Sequence, residues 1–449
     1  MSNSEKETLI KELEQKLDSF NSDERKEALL KLCEKVEAGE IILPEPGSNV
    51  NLHCHTFFSY NCYGYSPGKF AWLARKKGLA VAGIVDFDVL DGLEEFLGAA
   101  KLLGLKACVG METRVFIPEF AEKEINSPGE PGISYHMGVG FSEQSLEGEA
   151  QDFLAGLKET AQKRNRAVME RVNKYLSPVE LDYEKDVLVL TPNSNPTERH
   201  LSLAYGLKAN EIFAYQSQLK NFWRQKLSIN VDEFEFPQGV ELLNQIRAKT
   251  MKQGEPGYAK PAKGDFPTMA DTNRFILEAG GIPTHTWLNG LSDGEQEIEG
   301  LLEIAMQSGV AALNIIPDRN YTPDVKDKKL ENLYQVVELA QKLHLPIVVG
   351  TEMNSPGQKF VDDFNSQELL PLAPVFLRGA HIVYAHSVLQ RAGGLGYTSE
   401  WAKKNFESIA EKNEFFRKLG CLLEPSREEL LNNIPQEPTP KQILDILDN

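Results

Sequence analysis

VNLHCH, residues 50–55, is an apolar run that closes on two histidines one residue apart. This short run, entered from a Pro- and Gly-containing linker (LPEPGSN, 43–49), predicts a strand. Alternation along a strand puts His53 and His55 on one face, about 6–7 Å apart, and turns Cys54 to the other. Two imidazoles at that spacing suit a shared metal ion. They also stand at the end of the strand, where α/β barrels carry their sites. Further short apolar runs follow, most trailed by a helical pattern: 79–87, 105–112, 133–141, 280–287, 310–316, 345–352 and 380–386. Strand alternating with helix predicts a parallel sheet or barrel.

Around that core the chain divides by pattern. Residues 1–45 read as a helical extension, with apolar spacing of 3–4 in LIKELEQKLDSF and ERKEALLKLCEKVEAG and a cap at Ser22-Asp23. Residues 46–400 read as the barrel, interrupted at about 143–278 by a helical insertion, and 401–449 as a helical tail.

The strand ends supply further candidates. Asp86 and Asp88 end the second strand and Glu112 the third; His136 lies in the fourth; His285 ends the fifth and Glu352 the seventh. Each taken alone has a plainer role, as a hydrogen-bonded core histidine or, for Asp88, as a cap of the helix near 91–103. The set is harder to explain by packing. His386, in the last apolar run, reads equally as a site residue or a satisfied histidine. Arg164 and Arg166 read as a solvated helix face.

The formal net charge of −18 disfavours nucleic-acid backbones, leaving a nucleotide or short oligonucleotide as the largest nucleic-acid ligand expected. The five cysteines have no CxxC spacing, which excludes a disulfide framework as the organising device. No apolar run approaches the ~20 residues that span a bilayer, and the charged start lacks a signal-peptide core; a cytoplasmic location is expected.

H53-C-H55-T56-x-x-S59, V-D86-F-D88, G110-M-E112, Y-H136, R199-H200-L, G280-G281-I-P-T-H285 and G350-T-E352-M-N354 resemble, in order, the motifs of the PHP (polymerase and histidinol phosphatase) family. The resemblance runs from about residue 49 to about 357. It implies a distorted (β/α)7 barrel and a cluster of manganese, zinc or iron. It implies metal ligation by His53, His55, Glu112, His136, His285 and Glu352, with Glu112 bridging two ions. Asp86, Arg199 and His200 are the implied catalytic residues. An arginine-bearing helix followed by R199-H200 resembles the branch that cleaves nucleotides and oligonucleotides, with Arg199 and His200 on the substrate phosphate.

Three positions depart from the family pattern. Tyr60, Phe87 and Asn354 stand where the resemblance places the ligands of a third metal, so two ions rather than three are expected. The expected activity is hydrolysis of a small phosphorylated substrate. The alternatives are a barrel that has lost catalysis and serves as a binding module, and a metal-dependent amidohydrolase.

Overall fold

The computed structural model describes residues 3–143, 146–230, 236–261, 264–321 and 326–447. The chain forms two compact units: a barrel unit of Met1–Thr56, Asn61–Phe153 and Pro267–Asn449, and a helical unit of Phe57–Tyr60 and Leu154–Phe266.

The barrel unit is α/β. Its sheet contains β1 (Val50–Cys54), β2 (Val81–Phe87), β3 (Lys106–Phe116), β4 (Ile133–Val139), β5 (Ile282–Trp287), β6 (Ala312–Ile315) and β7 (Ile347–Val349), neighbours in chain order. Most pairs are parallel, but β4 runs antiparallel to both β3 and β5. This corrects the all-parallel expectation. The connection from β3 to β4, residues 117–132, holds only the 3-10 turn Pro118–Phe120 and no crossover helix, so the chain returns beside β3 in the opposite direction.

The two ends of the sheet meet. Cys54 bridges Glu352; the Glu352 amide donates to the His53 carbonyl (2.7 Å) and the His55 amide to the Glu352 carbonyl (2.8 Å). Inside the seam the Asn51 amide donates to Thr351 Oγ1 at 2.9 Å. The result is a distorted, nearly closed seven-stranded barrel.

The run 380–386, expected as an eighth strand, lies inside the helix Ala373–Gly393. Pro374 sits in the first turn, and Gly394, left-handed at φ 67°, caps the end. The helix is apolar on nearly every face because it is buried among Val50, Leu52, Val81, Ile347 and the C-terminal helix Ile409–Leu422. All-round burial removes the 3.6-residue period that would have marked it as helical. Asp88 also departs from expectation. The helix Leu93–Leu103 has Gly92 at its N-cap with no side-chain bond, whereas Asp88 accepts from Thr113 Oγ1 at 2.6 Å. In the N-terminal extension the cap is Asn21, not Ser22-Asp23.

His386 is a satisfied core histidine. Its Nε2 donates to the Gly280 carbonyl at 3.0 Å, and its Nδ1 accepts from the Tyr397 amide at 2.9 Å. That pattern needs the neutral ring, and burial lowers the pKa from 6.5 to about 4. Unfolded chains bind the proton near 6.5, so this histidine's contribution is complete above that pH and is lost as pH falls from 6.5 to about 4. A gap of about 2.5 units corresponds to about 3 kcal/mol. His386→Gln is therefore expected to be less stable at pH 7.5, yet to lose less on acidification to pH 5 than the wild type. Parallel urea midpoints for the two proteins across that range would remove the assignment.

In the helical unit, the helices Gly148–Leu176 (from Leu154), Glu198–Ile212, Gln216–Leu227 and Gly239–Thr250 enclose a separate core around Val172, Leu201, Tyr205, Trp223 and Ile246. Among the described residues, no helix is long and apolar enough to cross a membrane.

Candidate metal centre

β1 delivers its histidines as alternation requires. The rings of His53 and His55 lie 5.2 Å apart, and both side chains are fully buried. Glu112 reaches them from the middle of β3: its Oε2 is 3.6 Å from His53 Nε2 and 3.3 Å from His55 Nε2. Among the described residues these three alone bring metal-ligating atoms within 4.8 Å of one another. Burial alone would raise the Glu112 carboxyl, but the two imidazoles outweigh it and hold the pKa at about 2. Burial pushes His53 down, and Glu112, Glu352 and Asn314 together bring it above its ordinary value.

The tautomer of His53 is set from behind. Asn314, on β6, donates its amide to the Val348 carbonyl at 3.2 Å, which leaves its Oδ1 facing His53 Nδ1 at 3.2 Å. An oxygen can only accept there, so Nδ1 carries a hydrogen, and in the neutral ring it is Nε2 that presents a lone pair toward Glu112. That Nε2 is buried and makes no hydrogen bond. A buried lone pair beside a second imidazole and an ionised carboxylate fits a divalent transition ion. Two histidines and one glutamate make a three-ligand site, the kind that leaves a position open for substrate or water.

The second expected ligand group does not converge on Glu112. Across β3 and β4, Glu112 is opposite Met137 and Thr113 is opposite His136. Directly opposed residues share a face, so Glu112 and His136 lie on opposite faces of the sheet. His285, opposite His136, goes with it. Their rings are 6.4 Å apart on the face where His136 Nε2 donates to Asn273 of the helix Met269–Glu278 at 2.6 Å. Burial lowers both pKa values, to about 4 for His136 and about 3 for His285. They form a separate pair on the face away from Glu112, so these two histidines do not join Glu112 in the bridged arrangement that the resemblance implies.

Glu352 lies beside the centre but is engaged elsewhere. Its Oε2 accepts from Arg319 Nη2 at 2.5 Å and from Gln358 Nε2 at 2.8 Å, and it stays outside the 4.8 Å group. Its backbone, like that of Met353, is left-handed, at φ 59° and 54°. Non-glycine residues enter that region only where surrounding bonds hold them, here the seam with His53 and His55. Asp86 points away from Phe87 and Glu112. It accepts from the Thr56 amide (2.8 Å) and hydroxyl (2.7 Å), fixing the turn that leaves His55.

Of the three departing positions, Phe87 stacks on His55 at 4.3 Å and 25°, an apolar ring where the resemblance implies a ligand. Asn354 is partly exposed. Tyr60 belongs to the helical unit, where it meets His200 edge-on at 5.1 Å. In that unit Arg199 donates to Asn244 at 2.6 Å, and His200 Nδ1 accepts from the Thr197 amide at 3.0 Å in a capping box. Burial takes the His200 pKa down to about 3. Arg166 is solvated and paired with Glu184 at 2.8 Å; Arg164, against expectation, packs within about 6 Å of the Tyr258 and Phe266 rings.

Sequence reading missed Arg319 and Asn314. A lone asparagine in the apolar run VAALNII was the available signal for Asn314.

No family model matches the chain, and no curated protein matches it. Two solved structures are similar at low identity. An amidohydrolase from Chromobacterium violaceum, with bound sulfate and no metal, is 16% identical, covering 69% of this chain and 88% of that one, with a TM-score of 0.46. A candidate metal-dependent phosphoesterase from Bifidobacterium adolescentis is 17% identical, covering 73% and 97%, with a TM-score of 0.46.

Proposed function

We propose that this protein is a metal-dependent hydrolase of phosphate esters, with one divalent ion held by His53, His55 and Glu112. The observation that carries the reading is the convergence of those three buried side chains, with His53 Nε2 left as an uncommitted lone pair. The motifs H53-C-H55 and G110-M-E112, which resemble the PHP family, are the ones that meet there. Manganese, zinc or iron suits the mixed imidazole and carboxylate set. An ion bound there would supply Lewis acidity toward a phosphoryl oxygen. The chain's own residues do the rest. Asn314 keeps the His53 donor atom aimed, Glu112 carries the balancing charge, and Asp86 fixes the backbone after His55.

A second reading is a barrel that binds phosphorylated ligands without turning them over. Phe87 favours it, because its ring against His55 replaces a ligand position with an apolar surface.

Metal analysis after loading with manganese or zinc, followed by hydrolysis assays on phosphomonoesters, phosphodiesters and amides, tests both. The expected result is one tightly held ion per chain and metal-dependent release of phosphate. Binding of phosphorylated ligands without turnover would establish the second reading. Amide cleavage alone would replace both with the amidohydrolase alternative, and an absence of bound metal would refute the centre itself.

A further inference from the structure

We propose that Arg319 forms an oxyanion-binding subsite beside the metal centre, so that the barrel pairs one ion with one guanidinium where the family resemblance implies a second ion. The inference rests on the metal reading above and adds the group that recognises the substrate's phosphate.

Four observations carry it. First, among the described residues the second ion that the resemblance implies has no further ligand set on the Glu112 face, because the β3–β4–β5 register sends His136 and His285 to the other face. Second, Glu352, the remaining carboxylate expected to bind metal, is bound instead by Arg319 Nη2 at 2.5 Å. Glu352 sits in the seam between the His53 carbonyl and the His55 amide, so its carboxylate anchors the guanidinium at the ligand-bearing end of β1. Glu112 and Tyr135 also lie within electrostatic reach of that guanidinium. Third, Arg319 stands on a short helix, Asp318–Tyr321, three residues past the end of β6 on Ile316 and Pro317. Asn320 ties that turn down, donating to the Leu288 (2.9 Å) and Ile316 (3.0 Å) carbonyls. The arginine is therefore placed by a fixed turn and a fixed carboxylate.

Fourth, the guanidinium is only partly consumed. The Glu352 side chain is 7% exposed, but that of Arg319 is 40% exposed. Among the described residues, Nε and Nη1 of Arg319 make no hydrogen bond. A planar group open to solvent beside an ion site, with a spare N–H that pairs with the second Nη2 hydrogen along one edge, recognises a tetrahedral oxyanion with two parallel bonds. Glu352 holds the guanidinium without cancelling it, since its Oε2 accepts from both Arg319 Nη2 and Gln358 Nε2.

The experiment is calorimetric titration of inorganic phosphate into zinc-loaded and metal-free protein, with bound zinc measured in the same samples. Arg319→Ala is expected to weaken phosphate binding about ten- to a hundredfold while bound zinc per chain stays at the wild-type level. Arg319→Lys should recover only part of the loss, because an ammonium lacks the two-pronged geometry. Arg319→Ala leaves Glu352 buried and unpaired, so the double variant Arg319→Ala with Glu352→Gln guards against a folding failure; it should show the same weak phosphate binding. Phosphate affinity in either variant equal to the wild type overturns the subsite. A wild-type protein that binds phosphate through Arg319 but holds no zinc overturns the metal reading and leaves the subsite standing.

Discussion

Glu112→Ala is expected to lose metal affinity by more than about a hundredfold and to abolish any metal-dependent hydrolysis. Loss of a group that merely orients a ligand costs roughly 10–100-fold, and in the proposed centre Glu112 is a ligand itself. It is also the only carboxylate within reach of both imidazoles in the 4.8 Å group. Its removal would take away the charge that balances the ion and leave two imidazoles as the only ligands of the group, a weaker set for a divalent ion. Asp88→Ala is the control. Asp88 is a near neighbour in the fold, its amide donating to the Glu112 carbonyl at 2.9 Å, but its carboxyl is bonded to Thr113. Competition with a chelator of known affinity, read as zinc retained per chain, gives the comparison. Equal retention in the two variants would remove Glu112 from the centre.

The second large effect is on folding. Gly379→Ala should destabilise the barrel unit by about 3 kcal/mol or more and yield mostly insoluble protein. A Cβ on Gly379 would stand 1.9 Å from the Ile347 carbonyl oxygen, and both are backbone, so neither can turn aside. Overpacking of flexible side chains already costs about 1–3 kcal/mol. Gly98→Ala is its counterpart: Gly98 lies on an exposed helix face with nothing within 4 Å of a new Cβ. Restricting the unfolded chain and improving helix propensity there should stabilise the protein by about 0.5–1 kcal/mol. Chemical denaturation of both variants checks the pair; a Gly379→Ala protein as stable as the wild type would mean the helix Ala373–Gly393 can move off β7.

The histidines of β1 were legible in the sequence because a strand's two-residue period fixes relative orientation within one segment, and His53 and His55 share that segment. His136 and His285 were not, because facing depends on pairing register, and register depends on residues across the strand. A motif in order along the chain says that Glu112 and His136 are on adjacent strands; it cannot say that Thr113, not Glu112, is the one opposite His136. The antiparallel turn of β4 follows the same logic, since direction depends on whether the connection crosses over, and residues 117–132 carried no clear element pattern. The buried helix Ala373–Gly393 was misread as a strand for want of a polar face. Asn314 and Arg319 owe their roles to partners far along the chain, His53 and Glu352, which no local pattern names.

The seam that joins β1 to the segment after β7 gives the centre a history as well as a geometry. Its bonds connect residues about as distant as Asn51 and Thr351, 300 positions apart in sequence. A growing chain can pair β1 with β2 and β3 early, gathering His53, His55 and Glu112. The ring of strands cannot shut until residue 352 has been made and the intervening helical unit has been passed over. Long-range closures of this kind form late, because the entropy of the loop must be met before the contacts form. An ion captured by the early three-residue cluster would thus be enclosed only afterwards, when Glu352 docks between the two histidines. Opening of the seam's backbone hydrogen bonds would loosen His53 and His55 together, so the order of the two rings depends on a closure made far along the chain.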